Sequence, residues 1–395
     1  MKLTSLLIGF CFLTFGSLAQ NTLIVDNNFN APTGTHVYST LQAASDAAQD
    51  GDTIQVQPSP NAYGDVIIRK QITLIGIGFN VQKDISYESV IGNITLSNNA
   101  DNTTDASGTV ITGVRMGGVY LGTRTGAGYV LSDVKIFNNI MAWIYQTTGY
   151  VDTENLEIFD NYLTSNITNN SSIYLARRTN NALIRNNLIR YAINFASTTP
   201  GTNTVTNNLL YGRVRVAAVG TNTNIINNNF IGAANTSYAF ETTLRDCIVS
   251  YNIFFGVTPS ISAGGSTSDN FQRNVFTFNL LHATGDDVWP PQGGTGGNTG
   301  DYNYMGSPEF TDVQLLSSWS SAYDFTLIST SPALLANIPE PSALFDIGFT
   351  GGAYPWTESN MTFQPSALPV IEILNTSTII NPGDNLPVRV KATSN

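Results

Sequence analysis

The 395-residue sequence is poor in charge, cysteine and histidine, and each shortage removes a class of protein. Only 11% of residues are charged and the formal net charge is -11, so the chain lacks the basic stripe that binds nucleic acid. Its only histidines are His36 and His282, and they form no Cys/His cluster with zinc spacing. The acidic balance also disfavours anionic lipids and glycans unless a local basic patch attracts them.

The first 19 residues are typical of a secretory signal peptide. Lys2 precedes the apolar run LLIGFCFLTFG, and residues 17–19 (SLA) resemble a cleavage site. We therefore expect cleavage after Ala19 and a protein that is secreted or lies on the cell surface. Cys11 follows a bulky residue inside the apolar run, which does not fit a lipid-attachment site. Cleavage would leave Cys247 as a single thiol, which cannot form an internal disulfide.

A phrase with asparagine between apolar residues returns at a period of about 22 residues. It reads IFNNIM at 136–141 and IRNNLIR at 184–190. The last asparagine of each phrase defines the repeat position: Asn139, Asn161, Asn187, Asn208, Asn229, Asn252 and Asn274. Each period holds short β-branched or aromatic runs separated by Asn, Gly, Thr and Ser, which indicates strands and tight turns. The pattern predicts an all-β solenoid, a parallel β-helix with three short strands in each coil.

The repeated asparagines have a structural explanation. Asparagine tolerates the left-handed backbone conformation that a sharp corner needs. In stacked coils about 4.8 Å apart, side-chain amides at equivalent corners can donate to and accept from one another. We therefore expect an interior asparagine ladder that satisfies its own hydrogen bonds and fixes the register of the coils.

Both ends of the repeat suggest a covered solenoid. Thr40 to Ala48, within an N-terminal cap at about 36–60, predicts a short amphipathic helix with Leu41, Ala44 and Ala48 on one side. QAASDAAQDGDTIQV and GDVIIRKQITLIGIG resemble the N-terminal region of secreted right-handed β-helix proteins of the pectin-lyase-like superfamily. The segment SPEF…YDFTLISTSPAL…FDIGFTGG resembles the irregular closing coil of that group. The resemblance implies a right-handed parallel β-helix but no particular activity, because the superfamily includes lyases, hydrolases, esterases and non-catalytic adhesins.

These observations divide the chain into a signal peptide, a solenoid and a C-terminal segment. The expected ranges are 1–19 for the signal peptide, 20–365 for the β-helix, about 130–280 for the ladder coils, 285–306 for a surface loop, 307–352 for the closing coil and 366–395 for the C-terminal segment. That last segment has two apolar stretches around NPGDN, which predict two strands joined by a turn. Thirty residues are too few for an independent sandwich, so we expect them to dock on the solenoid.

One outward face carries the residues that could bind a substrate. Apolar residues six and eight positions after Asn187 and Asn208 should point inward, so the seventh residues should point outward and lie side by side. Counting in this way selects Asn194 and Arg215, the fifth position adds Arg213, and the coils on either side add Tyr174 and Glu241, with Arg177 and Arg178 nearby. An aromatic ring with amides and guanidinium groups suits a sugar that carries carboxylate or sulfate. The alternative is that outward charges only keep the face soluble.

Asp286 and Asp287, in TGDDVW, are the only catalytic candidates. The G-D-D element resembles one that supplies catalytic acids in polygalacturonase-like hydrolases, which share this fold. The N-T-D, G-H-G and R-I-K elements of those enzymes are absent, and the doublet falls in a Gly/Pro loop. A solvated loop or weak calcium binding is the alternative, and no other metal or cofactor is indicated.

The sequence thus predicts an exported protein that engages an extracellular polysaccharide. If it is an enzyme, the fold indicates a polysaccharide lyase or a glycoside hydrolase. The alternative is a non-catalytic structural or adhesive cell-surface protein. We expect a monomer with no nucleic-acid partner and no membrane insertion.

Overall fold

A computed structural model shows a solenoid of stacked β-coils. The residues it describes are 20–29, 31–78, 87–99, 103–122, 128–147, 151–168, 170–197, 201–216, 223–232, 237–240, 243–261, 270–285, 290, 296–313, 323–357, 370–376 and 388–393. Strands of successive coils pair in parallel with matching register. The predicted all-β parallel solenoid is therefore confirmed.

Sheet A, the first of two large sheets, contains 13 strands that stack from coil to coil. In stacking order they are Val37–Tyr38, Thr22–Val25, Thr53–Val56, Thr73–Ile75, Val110–Thr112, Lys135–Phe137, Glu157–Phe159, Ala182–Arg185, Asn203–Thr206, Asn224–Ile226, Ile248–Ser250, Val275–Thr277 and Thr299–Asp301. Inward residues at equivalent positions, such as Ile136, Ile158 and Ile184, are paired and fully buried. This apolar column forms the core, because each residue packs on its equivalent one coil away.

Sheet B contains 16 strands and separates into two halves. It begins with Val66–Ile68, Val90–Leu96, Arg115–Leu121 and Ile140–Gln146. Ile140–Gln146 then pairs with two strands of the next coil, Tyr162–Leu163 and Ser171–Leu175. The first half continues with Leu188–Ile189, Leu209–Leu210, Asn229–Ile231, Ile253–Phe255, Leu280–His282 and Tyr304–Met305, and the second half with Ala192–Phe195, Val214–Val216, Ser237–Phe240 and Val257–Ile261. Each later coil therefore has a corner between its two sheet B strands.

The remaining elements are small. Parallel strands Tyr129–Ser132, Val151–Glu154 and Thr179–Asn180 form a three-stranded sheet, and Leu244–Arg245 pairs with Phe271–Gln272. Two antiparallel hairpins join Phe310–Asp312 to Asp324–Leu327 and Val370–Thr376 to Val388–Thr393. The helical elements of the described residues include one α-helix, Leu41–Ala47, and a 3-10 turn, Leu335–Asn337.

The predicted N-terminal helix is present. Its N-cap is Thr40, whose hydroxyl accepts a hydrogen bond from the backbone N–H of Ala43. The three residues expected on its apolar side, Leu41, Ala44 and Ala48, are all buried. The helix packs against the first strands of the solenoid. No helix in the described ranges is both long and apolar enough to cross a membrane.

A continuous asparagine ladder runs along one corner of the solenoid. Its members are Asn139, Asn161, Asn187, Asn208, Asn228, Asn252, Asn279 and Asn303. The Nδ2 of each residue donates to the Oδ1 of the next at 2.8–3.1 Å, and its backbone N–H donates to the same oxygen. The buried amides thus satisfy one another, as the repeat predicts.

The ladder departs from the prediction at two coils. Asn228 and Asn279 occupy the positions that we assigned to Asn229 and Asn274, so those two assignments were wrong. Asn274 instead belongs to a second corner, where its Nδ2 donates to Asn298 Oδ1 at 2.9 Å. The left-handed residue of the ladder corner is also the one before each ladder asparagine, for example Asn138 with φ 54°.

Residues 298–305 form a further coil where we expected a surface loop. Thr299–Asp301 extends sheet A and Tyr304–Met305 extends sheet B. Asn303 carries the ladder into this coil, since it accepts from Asn279 Nδ2 at 2.8 Å. The predicted loop over 285–306 is therefore wrong in its second part, because Gly and Asn there serve corners of a regular coil.

The C-terminal part of the solenoid does not end in the closing coil predicted for 307–352. Phe310–Asp312 and Asp324–Leu327 form a separate hairpin, and residues 344–356, which we call the docking segment, lie against the outside of earlier coils. Nδ2 groups of Asn186, Asn207 and Asn227, in three successive corners, donate to backbone carbonyls of this segment. A second apolar core forms between the two parts, with these members among others: Leu188, Leu209, Ile253, Ile347, Phe349 and Trp356.

The C-terminal hairpin agrees with the two predicted strands. The observed strands are Val370–Thr376 and Val388–Thr393, and they pair in an antiparallel manner. Docking of this hairpin on the solenoid stays a prediction. The predicted signal peptide lies outside the described residues.

Candidate functional site

The predicted neighbours on the outer face of sheet B have the expected register. Tyr174 pairs with Asn194, and Asn194 pairs with Arg215, on three successive strands of the second half. Tyr174 is half-buried, so part of its ring is open to solvent. The backbone thus places these three positions side by side, as counting from the ladder predicts.

The accessibility of the other predicted site residues does not follow from their register. The side chain of Asn194 has 0% exposed surface, and neither its Oδ1 nor its Nδ2 has a hydrogen-bond partner among the described residues. A ligand cannot reach Asn194 without displacing what covers it, so its assignment to an accessible face was wrong. The side chain of Arg215, the whole of Glu241, and the doublet Asp286 and Asp287 lie outside the described residues.

The arginines expected nearby belong to another surface. Arg177 forms an ion pair with Asp152 at 3.3 Å, near the three-stranded sheet. Arg178 is exposed in the next position and leads into the strand Thr179–Asn180. Both residues come after the sheet B strand Ser171–Leu175 in the sequence, so they do not belong to the outer face of sheet B.

An aromatic strip extends the predicted face across earlier coils. It consists of Tyr120, Trp143, Tyr145 and Tyr174, all half-buried on three successive coils. The rings of Tyr145 and Tyr174 are stacked with centroids 5.5 Å apart, and Tyr120 meets Tyr145 edge-on at 6.0 Å. Tyr120 also meets Trp143 at 4.7 Å and an angle of 66°. These contacts hold the rings in fixed orientations at a spacing near one coil.

A glycine sets the orientation of the indole in the strip. Trp143 pairs with Gly118 of the preceding coil. A Cβ built on Gly118 would lie 2.4–2.6 Å from three atoms at the ring fusion of the indole. Such a position is possible only above the ring plane, so the indole lies flat over the Gly118 backbone. The opposite face of the indole is therefore turned away from the sheet.

Part of this aromatic strip could have been predicted from the sequence, but our counting from the ladder asparagines missed it. Tyr145 is the sixth residue after Asn139, whereas the outward positions of later coils are the seventh after Asn187 and Asn208. One residue fewer at the corner therefore shifts the outward position. Tyr120 could not be reached at all, because the ladder begins at Asn139 and Val114 occupies the equivalent corner before it.

A cleft of about 440 Å³ opens at the corner between the halves of sheet B. Its lining includes Arg190, Tyr191, Tyr211, Gly212, Arg213 and Tyr238. The lining also includes Asn170, so the cleft starts in the coil that carries Tyr174, the last ring of the aromatic strip. Among the predicted substrate-binding residues whose side chains the structure describes, Arg213 lines this cleft and Tyr174 and Asn194 do not. We call this feature the basic cleft.

Close backbone contact brings the two arginines of the basic cleft onto adjacent coils. A Cβ added to Gly212 would lie 2.0 Å from the carbonyl oxygen of Tyr191, so only glycine fits between these coils. Arg190 and Arg213 flank this contact on either side. Among the described carboxylates, none forms an ion pair with either guanidinium, whereas Arg115, Arg177 and Arg273 do have acidic partners.

Tyr211 and Tyr162 remain neutral donors in this region. Burial raises the pKa of Tyr211 strongly above its ordinary value, and the neighbouring Tyr323 and Tyr162 raise it further. The hydroxyl of Tyr211 is buried and has no hydrogen-bond partner within the described part of the chain. Burial also raises the pKa of Tyr162, which Arg190 opposes through charge and a hydrogen bond. Any acceptor that enters here would meet O–H and guanidinium donors.

The part of the chain that the structure describes shows no candidate metal site. It contains no group of three or more His, Cys, Asp or Glu side chains that could hold a metal ion. Calcium binding at Asp286 and Asp287 stays a prediction, because both residues are outside that part. No protein-family model matches this chain, and comparison with curated proteins finds no significant relative. The resemblance to the pectin-lyase-like superfamily therefore remains an expectation.

Proposed function

We propose that this protein is an exported, right-handed β-helix that binds an extracellular polysaccharide along the outer face of sheet B. The observation that carries the proposal is the aromatic strip of Tyr120, Trp143, Tyr145 and Tyr174. The C–H-bearing faces of sugar rings are apolar and pack well on aromatic side chains, while their hydroxyls need polar groups at the edges.

The spacing of the strip supports a chain molecule as the ligand. Successive rings lie 5.5–6.0 Å apart, one for each coil of the solenoid. A polymer that runs parallel to the solenoid axis would thus meet an equivalent aromatic contact at each coil. Tyr hydroxyls at the ring edges supply donors and acceptors for sugar hydroxyls.

The experiment compares two aromatic residues on neighbouring strands of opposite sheets. Tyr145→Ala removes the central ring of the strip, and Phe137→Ala removes a half-buried ring of the same coil on sheet A. Phe137 is stacked on Phe159 at 4.6 Å, so both variants lose one aromatic stack. Binding to a panel of soluble neutral and acidic polysaccharides is measured by titration calorimetry and affinity electrophoresis.

We expect Tyr145→Ala to weaken binding to the best polysaccharide by about tenfold, the effect of losing one stacking contact. Phe137→Ala should bind as the parent does. Equal effects of the two variants would contradict the strip as the binding surface. A parent that binds no polysaccharide would leave the structural or adhesive role as the better explanation. The same panel, read at 235 nm and by reducing-sugar release, detects lyase or hydrolase activity.

Gly118→Ala gives an independent test of the indole orientation. The added methyl group would overlap the ring of Trp143 and must displace it. We expect this variant to bind as weakly as Trp143→Ala. Gly306→Ala is the matched control, because its Cβ would only contact Pro332 at 3.8 Å.

A further inference from the structure

We infer that the basic cleft is a subsite for an anionic group, a carboxylate or sulfate, on a sugar next to those bound by the aromatic strip. This inference rests on the proposed function and adds the substrate class to it. Three observations lead to it: the placement of two guanidinium groups, a buried hydroxyl without a partner, and the position of the cleft relative to the strip.

The first observation is the pair of like charges. Arg190 and Arg213 line one cleft of about 440 Å³ in a protein whose formal net charge is -11. Neither has an ion-pair partner among the described acidic residues. Two cations on adjacent coils repel each other, and an anion between them would remove that repulsion. Guanidinium groups bind carboxylate and sulfate with two parallel hydrogen bonds, which makes arginine suited to this role.

The second observation is a buried hydroxyl on Tyr211, one of the residues that line the cleft. The Tyr211 hydroxyl is buried and, within the described residues, makes no hydrogen bond, which is costly for a polar group. Its pKa lies above the ordinary tyrosine value because of burial, so the O–H keeps its proton at neutral pH. An anionic oxygen that reaches this hydroxyl from the cleft would give the donor an acceptor.

The third observation is position. The cleft begins at Asn170, in the coil that carries Tyr174, and extends over the following coils. Three coil steps, ~14 Å at about 4.8 Å for each step, separate Tyr145 from the register position of Arg215, and Arg213 lies two residues before Arg215, which adds ~7 Å across the sheet. A sugar chain lying on the strip and following the solenoid axis would therefore pass the cleft within a few residues.

The size of the cleft limits what it takes. A volume of about 440 Å³ lies at the small end of the range for ligand pockets. It suits a single charged sugar unit rather than a long segment of polymer. The strip would then hold uncharged ring faces, and the cleft would select chains with an acidic unit at one position.

The test uses two pairs of polymers that differ only in charge. One pair is a galacturonan and its carboxyl-reduced form, and the other is a sulfated galactan and its desulfated form. The double variant Arg190→Gln, Arg213→Gln removes both guanidinium groups. The control Arg69→Gln, Arg178→Gln changes net charge equally at two arginines that do not line the cleft. Affinities are measured at low and high salt.

We expect the parent to bind at least one acidic polymer more tightly than its neutral derivative. The double variant should lose that preference, with affinity for the acidic polymer falling about tenfold or more, and the preference should weaken with salt. The pair that shows the effect identifies carboxylate or sulfate as the ligand group. The control variant, whose two arginines do not line the cleft, should keep the parental affinity for every polymer of the panel.

The outcomes separate this inference from the proposed function. Equal parental affinity for acidic and neutral polymers overturns the anion subsite and leaves glycan binding intact. A preference that survives in the double variant, or is lost equally in the control, also overturns it, because the charge effect then lies elsewhere. A parent that binds none of the polymers overturns both proposals.

Discussion

Asn228 and Asn229 are adjacent, fully buried asparagines, and replacing each with leucine should give different losses of stability. Asn228 belongs to the ladder: its Oδ1 accepts from both the backbone N–H and the Nδ2 of Asn208 at 3.0 Å. Asn229 lies outside the ladder. Its Oδ1 accepts from the backbone N–H of Phe349 at 3.1 Å, and its Nδ2 has no partner in the part of the chain that the structure describes.

The magnitude follows from which groups each change leaves without a partner. Asn228→Leu orphans the backbone N–H of Asn208 in the interior, while Asn208 Nδ2 keeps the carbonyls of Ile184 and Thr206. One buried donor without a partner costs about 1–3 kcal/mol, and the lost bonds of the Asn228 amide add to this. Leucine also does not reproduce the corner contacts that hold the coils in register.

Asn229→Leu has compensating effects. It orphans the backbone N–H of Phe349, but it also removes the amide Nδ2 that is buried without a partner. The neighbouring residues in its column are Leu209 and Ile253, so leucine adds apolar contact there. We expect a net change within about 1 kcal/mol.

The assay is equilibrium unfolding in urea, followed by circular dichroism, with both variants compared with the parent. Asn224→Leu serves as a control, because Asn224 is half-buried on the outer face of sheet A in the same coil. Asn228→Leu should be the least stable of the three. If Asn229→Leu were as damaging as Asn228→Leu, the ladder assignment at this coil would be refuted.

Three further predictions use other parts of the fold. The thiol of Cys247 is 1% exposed and donates to the Arg245 carbonyl at 3.1 Å, so the native protein should react slowly with a thiol reagent, and rapid labelling would contradict this burial. Phe349→Ala should cost about 3–5 kcal/mol and expose the docking segment to limited proteolysis, unless the second core contributes little. Burial lowers the pKa of His282, so the unfolded chain takes up its proton first. Stability should therefore be full above about pH 6.5 and fall as the pH drops, and His282→Gln should reduce that fall; an identical pH profile would contradict the effect.

The sequence predicted the ladder and its coils well because the repeat constrains both. A buried asparagine at a fixed corner needs its equivalents one coil away, so Asn139, Asn161, Asn187 and Asn208 could be aligned from spacing alone. The run of three asparagines at 227–229 gave no internal reason to choose the second over the third.

The final ladder coils were hard to assign for a different reason. The left-handed position before the ladder asparagine is Asn in some coils, but it is Tyr251 and Phe278 in later ones. These rings stack at 4.8 Å, so packing between coils outweighs the local backbone preference. The familiar Asn-Asn phrase therefore disappears where the ladder continues. Asn274, which kept part of the phrase, serves the second corner instead.

The functional face depended on tertiary features that spacing does not encode. Outward positions shift by one residue when a corner is shorter, which is why Tyr145 was missed while Tyr174 was found. The burial of Asn194 and the depth of the cleft depend on how neighbouring coils pack at the sheet B corner. Gly212, which lets those coils touch, gave no signal of its own among many other glycines.

The outward aromatic residues of sheet A contact the C-terminal part of the chain through Arg185, whereas those of sheet B contact one another. This difference favours sheet B as the binding face. On sheet A, the stacked pair Phe137 and Phe159 is continued by Arg185, whose guanidinium lies 3.9 Å from the Phe159 ring centroid. Arg185 in turn lies 4.8 Å from the ring centroid of Tyr354, in the docking segment. Those rings therefore hold the C-terminal part of the chain in place.

The aromatic strip on sheet B has no comparable use within the described fold. Its ring contacts there are with one another: Tyr120 with Trp143 and Tyr145, and Tyr145 with Tyr174. These half-buried rings leave apolar surface in contact with water, beside a cleft that contains two arginines. Exposed apolar surface is unfavourable unless another molecule covers it. A sugar polymer with apolar ring faces and an acidic unit would cover the strip and neutralise the cleft at once, so both proposals require the same direction of binding, along the solenoid axis.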